Sequence, residues 1–187
     1  MGVTIHYKLG QSEEFVSKML DWAQIVAETY RKEAEIKKIP FEIRRISDKR
    51  LDIDIGNCET LVFSFNRLSD YEKESKNGYN YEYETLIRGE GIGKQDEDLL
   101  WASAFCKTQF SNKVVEHEMV AEIIRTVASR CRIASVYDEG DYYHSCNLED
   151  AKKNIIENGK LIGKVGEMLK QKGWNDDQIV KGETKIK

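Results

Sequence analysis

Four stretches of this chain alternate apolar and polar residues with period two. They are centred on Val3, Ile5 and Tyr7; on Leu51, Ile53 and Ile55; on Leu61, Phe63 and Phe65; and on Tyr79, Tyr81 and Tyr83. Successive strand side chains point to opposite faces, so each stretch reads as a strand with one face buried. A strand of that kind cannot stand alone and must find neighbours and a cover. Phe41–Ile46 and Ile133–Tyr137 add two more short strands. Trp101–Gln109 carries apolar or small residues on both faces, which suits a central strand.

Three segments repeat with helical period instead. Gly10 breaks the first strand, Ser12 is placed to cap a helix, and Glu13 and Glu14 suit its positive end. The stripe Phe15, Met19, Trp22, Ala23, Val26 and Tyr30 carries that helix to about 32–35, and Pro40 ends the linker. Ser111 or Asn112 caps the second helix, with stripe Val115, Met119, Val120, Ile123, Ile124 and Val127. Asn147, with Asp150 three residues on, resembles a capping box for the third. Its stripe is Leu148, Ala151, Ile155, Ile162, Val165 and Leu169, and Gly173 ends it. Arg67–Gly78 is polar and reads as a loop with room for helix, and Gly89–Lys94 turns the chain.

Strands cluster in the middle of the order, which predicts an α+β fold with a largely antiparallel sheet and three main helices on one face. Residues 1–173 form one domain, and 174–187 form a polar tail. Val3, Ile5, Leu51, Ile53, Leu61 and Phe63 are expected under the helices. Thr4, His6, Glu42, Arg44, Asp52, Asp54 and Ser64 then share the opposite face, which is either wet or a binding surface.

Charge narrows the partners. A net charge of −4 with interspersed signs gives no basic patch, so nucleic acid is not expected. No apolar run reaches membrane-spanning length, and the N-terminus enters a strand pattern without an export signal, which points to the cytoplasm. Cys58, Cys106, Cys131 and Cys146 form no C-x-x-C pair and read as free thiols. No cofactor motif is expected. Gly89–Lys94 fails the phosphate-loop pattern, because Arg88 stands where the first glycine belongs and Gln95 where Ser or Thr belongs.

Candidate chemistry gathers at Asp138–Cys146. Asp141, His144 and Cys146 offer carboxylate, imidazole and thiolate, a donor set that suits zinc; the bland alternative is a strand end and a helix cap. Glu116 falls within an apolar helix stripe, where a carboxylate must be paired, hydrogen-bonded or at a pocket mouth, the bland alternative being a Lys or Arg partner at the rim. His117 sits at the margin of that stripe, with Glu118 outside it. His6 shares its strand face with Arg44, Asp52 and Asp54. If a catalytic pocket exists, its candidates are His6, Glu116, Glu139, Asp141 and His144. Gly159, Gly163 and Gly166 in the third helix suggest close approach to another backbone, in this chain or in a second copy.

Val3-Thr4-Ile5-His6-Tyr7, Lys107-Thr108-Gln109-Phe110 and Asp138-Glu139-Gly140 followed by Tyr142 resemble a family of small uncharacterised prokaryotic proteins. The likeness covers the chain ends better than the middle, and 67–97 looks like added material. The resemblance implies a bacterial or archaeal cytosolic protein and brings no activity with it. Two functions remain. One is a non-enzymatic binding or interaction module, with a homo-oligomer or protein partner open and any small-molecule ligand unknown. The other is a small hydrolase or metal-dependent enzyme using the acid and histidine cluster.

Overall fold

The computed structural model describes residues 3–75, 98–108 and 114–173. The expected strand at Tyr79–Ile87, the turn at Gly89–Lys94, the caps Ser111 and Asn112 and the tail 174–187 lie outside the described residues. Within them the chain is α+β. A four-stranded antiparallel sheet has the order β5-β6-β1-β7, from Asn66–Arg67 (β5), Leu99–Lys107 (β6), Thr4–Ser12 (β1) and Ile133–Asp138 (β7). A three-stranded antiparallel sheet has the order β2-β3-β4, from Phe41–Ser47, Arg50–Ile55 and Leu61–Ser64.

The two sheets are nearly one. β4 runs directly towards β5, and Glu59 donates its amide to the Lys107 carbonyl at 2.9 Å, beside the end of β6. Between those points the strands part. Tyr7 spans the split, its hydroxyl donating to the Val62 carbonyl at 2.6 Å and its ring lying 5.6 Å from that of Phe63. The expected apolar face holds in both sheets: Val3, Ile5, Leu51, Ile53, Leu61 and Phe63 are all buried. Each such side chain contributes about 1.5–3 kcal/mol by leaving water. Asp54 meets Arg44 at 2.6 Å on the opposite face. Asp52 is less wet than expected, since it is buried there against the Arg50 guanidinium at 2.9 and 3.0 Å.

Gly10 does not break β1, which runs on to Ser12. The glycine makes room instead: a Cβ there would lie 2.9 Å from the ring of Trp101, its cross-strand partner. Trp101, Leu99 and Tyr71 form a second, smaller apolar cluster. Tyr71 belongs to a short helix, α2 (Leu68–Ser75), in the segment read as a polar loop.

α1 (Glu13–Ile36) and α3 (Val114–Ala128) pack on each other and on the strands that carry the main core. The α1 seam is rotated from the expected stripe. Val16, Met19, Leu20, Ala23, Ala27 and Ala34 are buried, while Phe15 and Trp22 are exposed. Small alanines let the helix approach closely, and the larger rings stay on its flank, where Trp22 takes the Arg130 guanidinium at 4.3 Å. α4 (Tyr142–Ser145) is a single turn, and α5 (Leu148–Gln171) packs on α3 and α4. Of its expected stripe, Ala151 is buried and Leu148 exposed. The surroundings of Ile155, Ile162, Val165 and the three glycines lie outside the described residues. Among those described, no helix is long and apolar enough to cross a membrane.

Candidate functional site

The period-two strands place three distant segments at one corner. Val3, just before β1, accepts the Thr108 amide at 2.9 Å, just past the end of β6. On the other side of β1, Glu139 donates its amide to Thr4 O at 3.1 Å, and its carboxylate accepts the Thr4 amide at 2.9 Å. Val3 and Thr4, Thr108 and Glu139 are therefore neighbours in space. His6 lies close to the Asp138–Cys146 turn, with Nε2 at 3.8 Å from Glu139 Oε1.

Inside this corner is a relay of three buried groups. His117 Nδ1 lies 2.7 Å from Thr108 Oγ1, and His117 Nε2 lies 3.1 Å from Asp138 Oδ2. Asp138 also accepts the amides of Gly140 at 2.7 Å and Tyr143 at 2.8 Å. Burial pushes its carboxyl up; the hydrogen bond and charge of His117 and the two amides outweigh that and hold it below the ordinary range. An ionised carboxylate only accepts, so His117 Nε2 carries the proton. The Thr108 hydroxyl donates to the Val3 carbonyl 3.2 Å away. Hydroxyl, imidazole and carboxylate in this order form a nucleophile and base relay in an open site. Here the His117 and Asp138 side chains are 0 % exposed and Thr108 is 0 % exposed. The relay consequently ties β1, β6, α3 and the β7–α4 turn together. His117 is expected at the stripe margin, yet it is buried, three and seven residues before the buried Val120 and Ile124.

Glu116 points elsewhere. It is buried, and it accepts the Asn57 amide at 3.3 Å at the turn after β3, rather than a Lys or Arg side chain. Gly56 in that turn has φ +53°, and a Cβ on it would lie 2.4 Å from the Glu116 carboxyl carbon. Burial, with the Glu116 charge adding to it, pushes the nearby Cys58 thiol up to about 12.

The remaining candidates lie on the outside of the turn. Asp141 has φ 64° and starts α4 without a side-chain cap bond. Cys146 ends it at φ 53° and is exposed. His144 is drawn away from both, its Nε2 donating to the Val136 carbonyl at 3.1 Å. Among the described residues, no three His, Cys, Asp or Glu side chains form a metal-holding set. Of the five catalytic candidates, the structure thus brings His6 and Glu139 together, keeps Asp141 and His144 on the same turn, and sends Glu116 to another.

That leaves the outer face and edge of the four-stranded sheet. Phe105, His6 and Tyr137 are in register on β6, β1 and β7, with rings 5.9 and 6.1 Å from the histidine. Lys107 lies over Phe105 at 5.2 Å. In the next rows, Ser103 Oγ and Trp101 Nε1 are buried without a hydrogen-bond partner. The row of rings ends on Tyr137, which is 63 % exposed.

β7 pairs with β1 on one side and closes the order of described strands. The Glu139–Thr4 bond fixes the alternation of its ladder. Tyr137, Ser135 and Ile133 therefore turn their backbone groups towards β1, while Val136 and Ala134 turn theirs to the side on which no described strand lies. His144 binds one of those outward carbonyls. Ile133 to Tyr137 carries no charged side chain, and Arg132 and Asp138 flank it. An uncharged edge strand with outward amides is a template for a further strand. No family model, curated protein or solved structure matches this chain.

Proposed function

We propose that this chain is a non-enzymatic cytosolic interaction module that accepts an extended polypeptide strand along the β7 edge. The observation that carries the reading is that edge itself: outward backbone groups at Ala134 and Val136 beside an exposed Tyr137. Strand addition draws affinity from main-chain hydrogen bonds and specificity from alternate side chains. Tyr137 and Ile133, on the outer face of β7 itself, lie where the alternate side chains of an added strand would pack. The relay of Thr108, His117 and Asp138 is sealed from solvent and serves the corner that holds the edge in place. The free thiols Cys58, Cys106, Cys131 and Cys146 go with a reducing compartment.

Titrating the isotopically labelled chain with soluble peptides of alternating Thr and Val tests this. The amides of Ala134 and Val136 are expected to shift, and Ala134→Pro, which removes an outward N–H without breaking the ladder to β1, is expected to abolish binding. Shifts confined to other surfaces, or none at millimolar peptide, would overturn the reading.

A further inference from the structure

The strand that fits this edge best is β7 itself: we propose that the partner is a second copy of this chain, paired antiparallel through β7 about a two-fold axis at Ser135. The inference rests on the reading of β7 as a strand-accepting edge and names its occupant.

The ladder imposes the first condition. Within the uncharged run, Ala134 and Val136 offer backbone groups to the edge, so these must meet outward-facing residues of the partner. A two-fold axis at Ser135 sets Ala134 opposite Val136 and Val136 opposite Ala134, and both pairs are then hydrogen-bonded. Ser135, small and exposed, meets its own copy at the axis.

Side chains impose the second. In this register Ile133 of each copy lies opposite Tyr137 of the other, on the outer face. An aromatic residue beside a β-branched one is a favourable cross-strand pair, and it covers the ring that the single chain leaves 63 % exposed. The row Phe105, His6 and Tyr137 then continues into the partner.

Charge decides the direction. Arg132 precedes the uncharged run; Asp138, Glu139 and Asp141 follow it. Arg132, Glu139 and Asp141 are exposed. Antiparallel pairing brings the basic flank of each copy against the acidic flank of the other, whereas parallel pairing would set like against like.

His144 opposes the contact in the single chain. Its Nε2 occupies the Val136 carbonyl, the acceptor that the partner's Ala134 amide needs. It acts as an edge guard of the kind that keeps exposed strands from pairing indiscriminately.

Sedimentation of the full chain over a range of concentrations provides the test, with circular dichroism confirming that each variant is folded. The chain is expected to dimerise reversibly, and His144→Ala to strengthen dimerisation. Ser135→Lys and Ser135→Glu, each alone, put like charges together at the axis and should weaken it about tenfold or more. Mixing the two variants should restore a dimer of one of each. A chain that stays monomeric, with and without His144→Ala, while still binding the Thr–Val peptides overturns the second copy and leaves the edge reading standing. A dimer indifferent to both Ser135 variants places self-association on another surface and also overturns the proposal. Loss of peptide binding as well removes the edge reading itself.

Discussion

Asp138 concentrates more interactions than any other carboxylate at this corner, and its environment makes the fold sensitive to acid. Its folded pKa lies below the ordinary value, so it contributes stability that is present above about pH 4 and lost as pH falls through the folded value. Asp138→Asn leaves His117 Nε2–H and the amides of Gly140 and Tyr143 facing an amide that cannot accept from all of them. The expected cost is about 3 kcal/mol at pH 7. The acid limb of the stability profile should also be shallower than in the parent chain. Urea unfolding across pH 2–7 measures both, and an unchanged acid limb would show that Asp138 is not held as described. Little of this was legible in the sequence. The sequence marks Asp138–Cys146 as a place where chemistry gathers, but the partner of Asp138, His117, is 21 residues away on another element. Glu116 was legible as an anomaly, because a carboxylate in an apolar stripe needs a partner. That the partner would be a backbone amide at the Gly56–Asn57 turn depended on how β3 meets α3.

The two long helices flanking this scaffold begin in chemically different ways, although both starts look alike in sequence. Ser12 has the extended backbone of a cap, at φ −63° and ψ 138°, yet its side chain makes no cap bond. Its amide is taken by the Gln11 side chain at 2.8 Å, while Glu13 is drawn to Lys49 and Arg67. Asn147 caps in full: its side-chain oxygen accepts the Glu149 amide at 3.0 Å, and its Nδ2 donates to Asp150 at 2.7 Å. Asn147→Ala should therefore cost about 1 kcal/mol, and Ser12→Ala should stay within about 0.5 kcal/mol. Urea midpoints of the two variants decide; equal losses would mean that the Ser12 hydroxyl caps α1 in solution. The strands were the most legible elements, since period two is a direct image of the pleat. α1 was legible in extent but not in rotation, because the aromatics suggested a face that the alanines took.

Across the whole molecule the four cysteines sit in graded surroundings, all of them unpaired. Cys146 is exposed and Cys106 fully buried; burial pushes the Cys131 thiol up to about 12, as it does with Cys58. The thiolate is the reactive form, so alkylation of the native chain at pH 8 should modify Cys146 first and Cys106 last. Mass spectrometry of timed digests reads the order, and a quantitative Cys–Cys bridge would contradict it. The α+β class, the antiparallel pairing, the buried faces of β1, β3 and β4 and the free thiols could all be read from the chain alone. They follow from local periodicity and composition, which the backbone imposes residue by residue. Tertiary structure alone decided that the sheet parts between β4 and β6, that α5 stacks on α3 and α4, and that His6 faces Glu139. It also decided that His117 closes a buried relay and that β7 ends the row of described strands. Each of these depends on which distant segments become neighbours. One sequence holds no record of that choice, because the energies that make it arise only when the segments pack together.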